Sequence, residues 1–326
     1  MLKKLLNLPL NELMKLASKE RKKRFGNIIT YTIERNINYT NVCIAKCKFC
    51  YFCVDKEDKK AFILDFSELE KKIKELIAIG GVKILLQGGL HPDLDIKYFE
   101  EMFSFIRKKF PNIYIHALSP AEILHISKVS KLSLKETILR LKKAGLQSVP
   151  GGGAELLVDR IRNYLAPNKI SSKDWLLVME TLHRLGIPST ATMVIGFENY
   201  ETKEILDTWE DRFEHLKKIK KLQEKTGGFT RFILWTYQPQ KITFAEYLKM
   251  LAISRLYLDN IPSIQASIVT QGVEGAQTAL LFGANDMGSP IIEENVVSSA
   301  GIKFKVSKED ILEAIREIGC IPQLRI

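Results

Sequence analysis

Nowhere in these 326 residues does an apolar run approach the roughly 18 that a membrane-spanning helix requires. The opening stretch MLKKLLNLPLNELMKLASKERKKRFG is cationic and amphipathic. It lacks the long apolar segment and the small-residue cleavage site of a secretory signal, so we expect a surface helix and a cytoplasmic protein. No low-complexity tract interrupts the chain, and nothing marks a linker between domains. The basic-plus-aromatic motif of an RNA-binding sheet is also missing. Cysteine is scarce, with five in all, and four of them crowd between positions 43 and 53. Structural disulfides are not the expectation for such a chain.

Positive charge is in excess, 49 Lys and Arg against 38 Asp and Glu, for a formal +11. The cations are dispersed over faces such as KKIKEL, IRKKF and LKKIKKLQEK, mixed with Glu at helical spacing, and ERKKR at 20–24 is the densest cluster. Faces of this kind are solvated, so no nucleic-acid partner is expected. A net positive field helps to gather small anionic substrates. With 46% hydrophobic and 27% charged residues the composition is that of a globular protein and excludes disorder.

Short β-branched or apolar runs alternate with helical patterns. Strands are predicted at 33–39, 82–87, 113–118, 146–150, 189–195, 230–237, 263–269 and 278–282. Ser67 with Glu70, Ser133 with Glu136, Ser171 with Asp174 and Ser307 with Asp310 read as helix starts, and Gly145, Gly186 and Gly319 as helix ends. Eight strands with helices between them predict an α/β fold, a (β/α)8 TIM-type barrel with an N-terminal helical extension. The predicted organisation is a single domain over 1–326, with 1–30 as the extension and 31–326 as barrel and C-terminal segment. A doubly wound open sheet is the alternative. In such barrels chemistry sits on loops at the C-terminal ends of the strands.

The cluster NVCIAKCKFCYFC carries Cys43, Cys47, Cys50 and Cys53. A tight group of this kind binds metal, and zinc is one reading, although zinc sites usually join two short pairs from separate segments. The other reading is an iron–sulfur cubane, because the C-x3-C-x2-C spacing lets one loop supply three thiolates. Three cysteines would leave one iron open to an external ligand. Cys53 as a fourth ligand would instead give an electron carrier. Cys320 stands alone and reads as a small buried hydrophobe.

The loop Cys43, Cys47, Cys50, with Phe49 just before the last cysteine, resembles the radical S-adenosylmethionine (SAM) superfamily, and Gln87-Gly88-Gly89 resembles its glycine motif. The resemblance implies a 4Fe–4S cluster on the three cysteines, with SAM chelating the open iron. SAM would lie against Phe49, Gln87, Gly88 and Gly89 and be split to methionine and a 5′-deoxyadenosyl radical. Further stretches, from RNINYTNVC through IHALSPAEI, SVPGGGAELL, STATMVIG, WTYQP and QASIVTQG to GANDMGSPIIEENVVSSAG, resemble the menaquinone (futalosine) pathway branch. Within it the resemblance leans toward the enzymes that cyclise dehypoxanthine futalosine. Aminofutalosine synthases and deazaflavin synthase subunits share the loop and PGGGAE. What this implies is hydrogen abstraction from the ribosyl part of the substrate, addition of the carbon radical to its own benzoate ring, and loss of one electron and one proton. An electron donor such as flavodoxin or ferredoxin is implied as partner. Cys53 and Ile268 stand where this family tends to have aromatic residues, and the stretch after Gly196 is longer than usual.

Each further residue has a structural reading beside the functional one. Glu155 is a candidate acceptor for the SAM ribose hydroxyls, or a first-turn residue favoured by the helix dipole. Arg160 is a candidate for the methionyl carboxylate, or a partner of Glu155. Thr190 and Thr192 share one side of a strand and point at substrate or simply fill it. His116 and His91 are candidate bases, or satisfied loop histidines. Asn285, Asp286 and Glu293 are candidates for substrate ribose and departing proton, with Asp286 the catalytic one, or members of a turn. Trp235 and Tyr237 stack on the substrate ring or pack the core.

Overall fold

The computed structural model describes residues 1–290, 292, 293, 295 and 304–326. The rest of the EENVV stretch, which carried part of the family resemblance, lies outside the described residues, apart from Glu293 and Asn295. Among the described residues eight strands form, β1 (Ile28–Tyr31), β2 (Glu34–Asn38), β3 (Lys83–Gln87), β4 (Tyr114–Ala117), β5 (Ser189–Ile195), β6 (Phe229–Thr236), β7 (Ser263–Gln265) and β8 (Ile321–Leu324). They form three parallel sheets, β1-β8, β2-β3-β4 and β5-β6-β7. Isolated parallel bridges link the sheets, His116 to Ser148, Val149 to Ser189, Gln265 to Asp286 and Thr30 to Asp286. No closed sheet forms among the described residues. The fold is α/β with parallel strands and helices between them, as expected. The closed eight-stranded sheet is not seen.

Three predicted strands differ, and the one expected at 263–269 ends at Gln265, with Ser267 capping a helix that starts at Ile268. At 146–150 the chain keeps only its two single bridges. Pro150 has no N–H to continue a ladder, and glycines follow it. The apolar 278–282 belongs largely to helix Ile268–Leu281, capped by Ser267, because a short apolar run does not distinguish a buried strand from a buried helix. The next residues take the expected sheet position: Ala266 N–H donates to Asp286 O (2.9 Å), and Thr30 N–H to Asn285 O (3.0 Å). Neither β1 nor β8 was foreseen. Ser133, Ser171 and Ser307 cap their helices as read, but helix Phe66–Ala78 is capped by Asp65, whose carboxylate accepts from Ser67 N. The N-terminal helix Leu10–Phe25 packs against helix Phe244–Tyr257 and buries Leu13, Ala17 and Arg21, so it is more than a solvated surface helix.

Strand alternation positions the site. On β3, Ile84 and Leu86 are fully buried in the core, whereas Lys83, Leu85 and Gln87 face a cavity. On β5, Ala191, Met193 and Ile195 go to the core while Thr190, Thr192 and Val194 face that cavity, and β6 repeats the pattern with Arg231, Ile233 and Trp235. Helices therefore cover an apolar face, and the interior face carries a mixture of polar and apolar side chains. Among the described residues no helix is long and apolar enough to cross a membrane.

Candidate functional site

A cavity of about 380 Å³ runs between the inner faces of the strands. Its rim is the loop that follows β2. Asn41 shapes that loop by accepting from Phe62 N (3.0 Å) and donating to Lys60 O (2.8 Å). Ile44 N–H donates to Leu90 O, and Leu90 N–H donates to Cys43 Sγ at 3.3 Å, so the cysteine loop and the loop after β3 are tied in both directions. Cys43, Cys47 and Cys50 all line the cavity, and so does Phe49, whose ring lies 5.7 Å from that of Phe197. Burial pushes the Cys47 thiol up to about 11. Cys53 also lines the cavity. Its thiol donates to Cys50 O at 3.5 Å, and burial pushes it up to about 12.

Among the described residues no three His, Cys, Asp or Glu side chains converge on a point that would hold one metal ion. A mononuclear zinc needs its thiolates at Zn–S distances of about 2.3 Å from a common centre. Three thiols on one loop at C-x3-C-x2-C spacing suit the corners of a cubane.

The glycines of Gln87-Gly88-Gly89 are required by contact. A Cβ on Gly89 would stand 2.1 Å from Val42 O and 2.8 Å from Cys43 Cβ, and one on Gly88 would stand 2.6 Å from the Tyr39 ring. Only bare backbone lets the two loops lie together. Glu122, fully buried, fixes this junction: Oε1 accepts from Tyr39 Oη (2.8 Å) and Gly88 N (3.0 Å), and Oε2 accepts from Ser119 N (2.6 Å). Burial pushes the Glu122 carboxyl up despite those donors. Sequence reading passed over Glu122, although it stands inside the quoted IHALSPAEI stretch as the N3 residue of a capping box.

Glu155 lines the cavity in a left-handed conformation, φ 40°, uncommon outside glycine and a place where strain is stored. Burial alone would raise its carboxyl. Lys169 (Nζ 2.8 Å from Oε1) and Arg162 (Nη1 3.4 Å from Oε2) outweigh burial and hold it below the ordinary range. Arg160 does not take part. It is more than half exposed and donates to Asp211 Oδ2 at 2.7 Å, so the expected pairing with Glu155 is corrected to Arg162, two residues on and thus on another face of the same helix. Lys169, in the loop after that helix, carried no sequence signal.

Thr190 and Thr192 line the cavity with their hydroxyls tied to Gly151: Gly151 N–H donates to Thr190 Oγ1 (2.9 Å), and Thr192 Oγ1 donates to Gly151 O. His116 lines the cavity with Nδ1 2.6 Å from Ser148 Oγ. Burial above all, then Lys83, Arg231 and Arg325, holds its imidazole well below the ordinary range, so it is neutral at pH 7. His91 lies in the loop after β3, Nδ1 accepting from Asp93 N (3.1 Å). Glu293 reaches the cavity while paired with Lys72 (2.9 Å) and Arg35 (2.8 Å). Asn285 and Asp286 do not line it. Asn285 Oδ1 accepts from Ile264 N (2.9 Å) and from Arg255. Asp286, fully buried, accepts from Arg325 by two nitrogens, from Thr30 Oγ1 and from Gly288 N (2.8 Å). Burial works against its charge, but Arg325 and Arg231 hold the carboxyl far below the usual range. A carboxylate so occupied is a poor proton acceptor. Trp235 lines the cavity, whereas Tyr237 turns aside to Phe197 and Tyr200.

Three thiols on one loop, a backbone cradle that excludes side chains and an ionised carboxylate at its edge fit an iron–sulfur cluster with SAM beside it. The profile of the radical SAM superfamily matches residues 37–208, and that of the CofH/MqnC C-terminal region matches 226–326. The chain is 43% identical to the cyclic dehypoxanthine futalosine synthase of Streptomyces coelicolor, over 97% of this chain and 80% of that one. It is 44% identical to the enzyme of the same name from Halalkalibacterium halodurans, over 91% and 80%. The 5-amino-6-(D-ribitylamino)uracil–L-tyrosine 4-hydroxyphenyl transferase of Archaeoglobus fulgidus is 37% identical, over 96% and 92%. Among solved structures, methylornithine synthase (PylB) superposes with a TM-score of 0.75 at 19% identity, covering 99% of this chain and 93% of that one, a likeness of fold.

Proposed function

The chain belongs to the radical SAM superfamily and to the CofH/MqnC group within it, and on that premise we propose that it converts dehypoxanthine futalosine to cyclic dehypoxanthine futalosine in menaquinone biosynthesis. The observation that carries this reading is the 43–44% identity to two synthases of that name along 91–97% of the chain. The thiol loop and glycine cradle at one cavity support it.

The chemistry that a 4Fe–4S cluster and SAM supply when bound is hydrogen abstraction from the ribosyl part of the substrate. In our reading Cys43, Cys47 and Cys50 hold the cluster and Cys53 remains a thiol. Backbone at Phe49 and Gln87–Gly89 receives SAM, and Glu155, kept ionised by Lys169 and Arg162, accepts its ribose hydroxyls. Glu122 holds the Gly88 amide in place. Thr190, Thr192 and Glu293 border the substrate, and Ile233, Trp235 and Ile268 form apolar wall that excludes water from the reacting carbons. Radical carbon and ring are thereby held in near-attack contact. His116, neutral, takes the proton released as the ring regains aromaticity, the cluster that the three cysteines would hold being the acceptor for the electron lost with it, and Ser148 orients the imidazole through Nδ1. Asp286 positions Arg231 and Arg325 instead of acting on substrate.

We read the three sheets and their bridges as one TIM-type barrel, residues 1–326 as a single domain, the location as cytoplasmic and the electron donor as a flavodoxin or ferredoxin. The test is anaerobic reconstitution followed by SAM, dithionite and dehypoxanthine futalosine. We expect one 5′-deoxyadenosine per cyclised product, with deuterium carried from the ribosyl carbon. Product that keeps the adenosyl group overturns the assignment in favour of an aminofutalosine-synthase type of reaction. The 37% identity to the archaeal transferase supports a second reading, which turnover of 5-amino-6-(D-ribitylamino)uracil with L-tyrosine in the same assay would establish.

A further inference from the structure

At the end of the cavity away from the cysteines, Glu34 opens β2 and Lys83 opens β3, paired in register, and Arg231 faces them from β6. Lys83 Nζ lies 3.3 Å from Glu34 Oε2. Behind them Arg325 is spent on Asp286. The floor thus holds three cations, Lys83, Arg231 and Arg325, against two carboxylates, Glu34 and Asp286, and one positive charge is left over. The surplus falls on Arg231. It is 8% exposed, its Nε stands 3.5 Å from Asp286 Oδ2, and among the described residues its guanidinium donates no hydrogen bond. A guanidinium has five N–H donors in a planar fork that matches a carboxylate, and an ammonium has three. Buried charges are ordinarily paired, yet here two cations with unused donors border open volume.

We propose that Lys83 and Arg231 form a carboxylate-binding subsite at the floor of the cavity, which takes the aryl carboxylate of the substrate. This rests on the reading above that the substrate is an aryl carboxylate. One bound monocarboxylate brings the floor to neutrality and supplies the fork with its acceptors. It anchors the charged end of the ring at the base of β3 and β6, leaving the ribosyl end to point toward the cysteine loop. It also reaches His116. The cation field of Lys83, Arg231 and Arg325 adds to burial in suppressing protonation of that imidazole, and a carboxylate among those cations relieves it where a proton must be accepted. Burial likewise depresses the two cations themselves, Lys83 to about 8 and Arg231 to about 10, and a bound anion reverses that.

The test is calorimetric binding of 3-acetylbenzoate and its methyl ester to the reconstituted holoenzyme, which needs no mutation. We expect the acid to bind at least about tenfold more tightly than the ester, as the loss of a charge-assisted pair implies. Arg231→Gln and Lys83→Met should each weaken the acid by about 10- to 100-fold with iron content and SAM affinity unchanged, and Arg231→Lys should restore part of the loss. Equal binding of acid and ester to wild type overturns the subsite, as does undiminished acid binding in both variants. Wild type that prefers the acid but fails to turn over dehypoxanthine futalosine sinks the substrate reading and keeps the subsite. Turnover with equal binding does the reverse.

Discussion

At the rim of the cavity the working groups are neighbours in sequence, three thiols between positions 43 and 50 and a Gln-Gly-Gly turn at 87–89, and much of the contact is backbone. At the floor, Glu34, Lys83, Arg231, Asp286 and Arg325 come from five separate segments, and it is their side chains that bring the charges together. The rim offers soft ligands, amide donors and space. The floor offers fixed charge inside the protein, where interactions are strong and an imbalance is expensive. On the proposed reading, a substrate with one anionic end and one reactive sugar would be held between two unlike ends of this kind.

The comparison is broken most completely at the rim. Cys43→Ala, Cys47→Ala and Cys50→Ala should each abolish SAM cleavage and most bound iron, while Cys53→Ala keeps both, read by iron analysis and 5′-deoxyadenosine release. Iron loss in Cys53→Ala as complete as in the others would remove the distinction among the four thiols. Next comes the floor. Asp286→Asn leaves Arg325 and Arg231 without their carboxylate, and we expect a loss of about 3–5 kcal/mol in denaturant unfolding. The same contribution has a pH signature. Because the Asp286 carboxyl is held below its ordinary value, its stabilisation is complete above about pH 4 and is lost as pH falls toward the lowered value. Acid unfolding of wild type should be steeper below that pH than that of Asp286→Asn.

Gly89→Ala sets a Cβ against Val42 O and should destabilise by about 1–3 kcal/mol, with weakened SAM binding as the diagnostic effect. Glu155→Gln should weaken SAM affinity about tenfold, the worth of one charged hydrogen bond, with iron unchanged. Unaltered SAM affinity would make Glu155 a structural anchor for Lys169 and Arg162. Smallest is Arg160→Ala. An exposed arginine paired with Asp211 is worth about 0–1 kcal/mol, and SAM affinity should not move. If it does, Arg160 reaches the cavity in the loaded enzyme and the contrast with Arg162 fails.

The rim was legible because its chemistry is local. Ligand spacing within a loop survives in the sequence, and so does a pair of glycines at a strand end. Glu122 was nearly legible, since a capping box predicts its backbone contact, but not that its second oxygen would hold Gly88. Arg160 and Arg162 show the limit. Two residues apart on a helix, either fits a pattern, and only the direction of each side chain chooses between them. The misread strand at 278–282 has a similar origin, since four or five apolar residues fit a buried helix as well as a buried strand.

The sequence by itself determined the alternation of strands and helices, the thiol loop, the glycine turn and the family to which these belong, because each is written over a few adjacent residues. Tertiary structure alone decided which strand faces turn inward, that Asp286 would serve arginines instead of substrate, and that Lys83 and Arg231 would share one floor. The physical reason is register. Moving a strand by one residue exchanges its two faces, so inward-pointing charge depends on pairings between segments far apart in the chain.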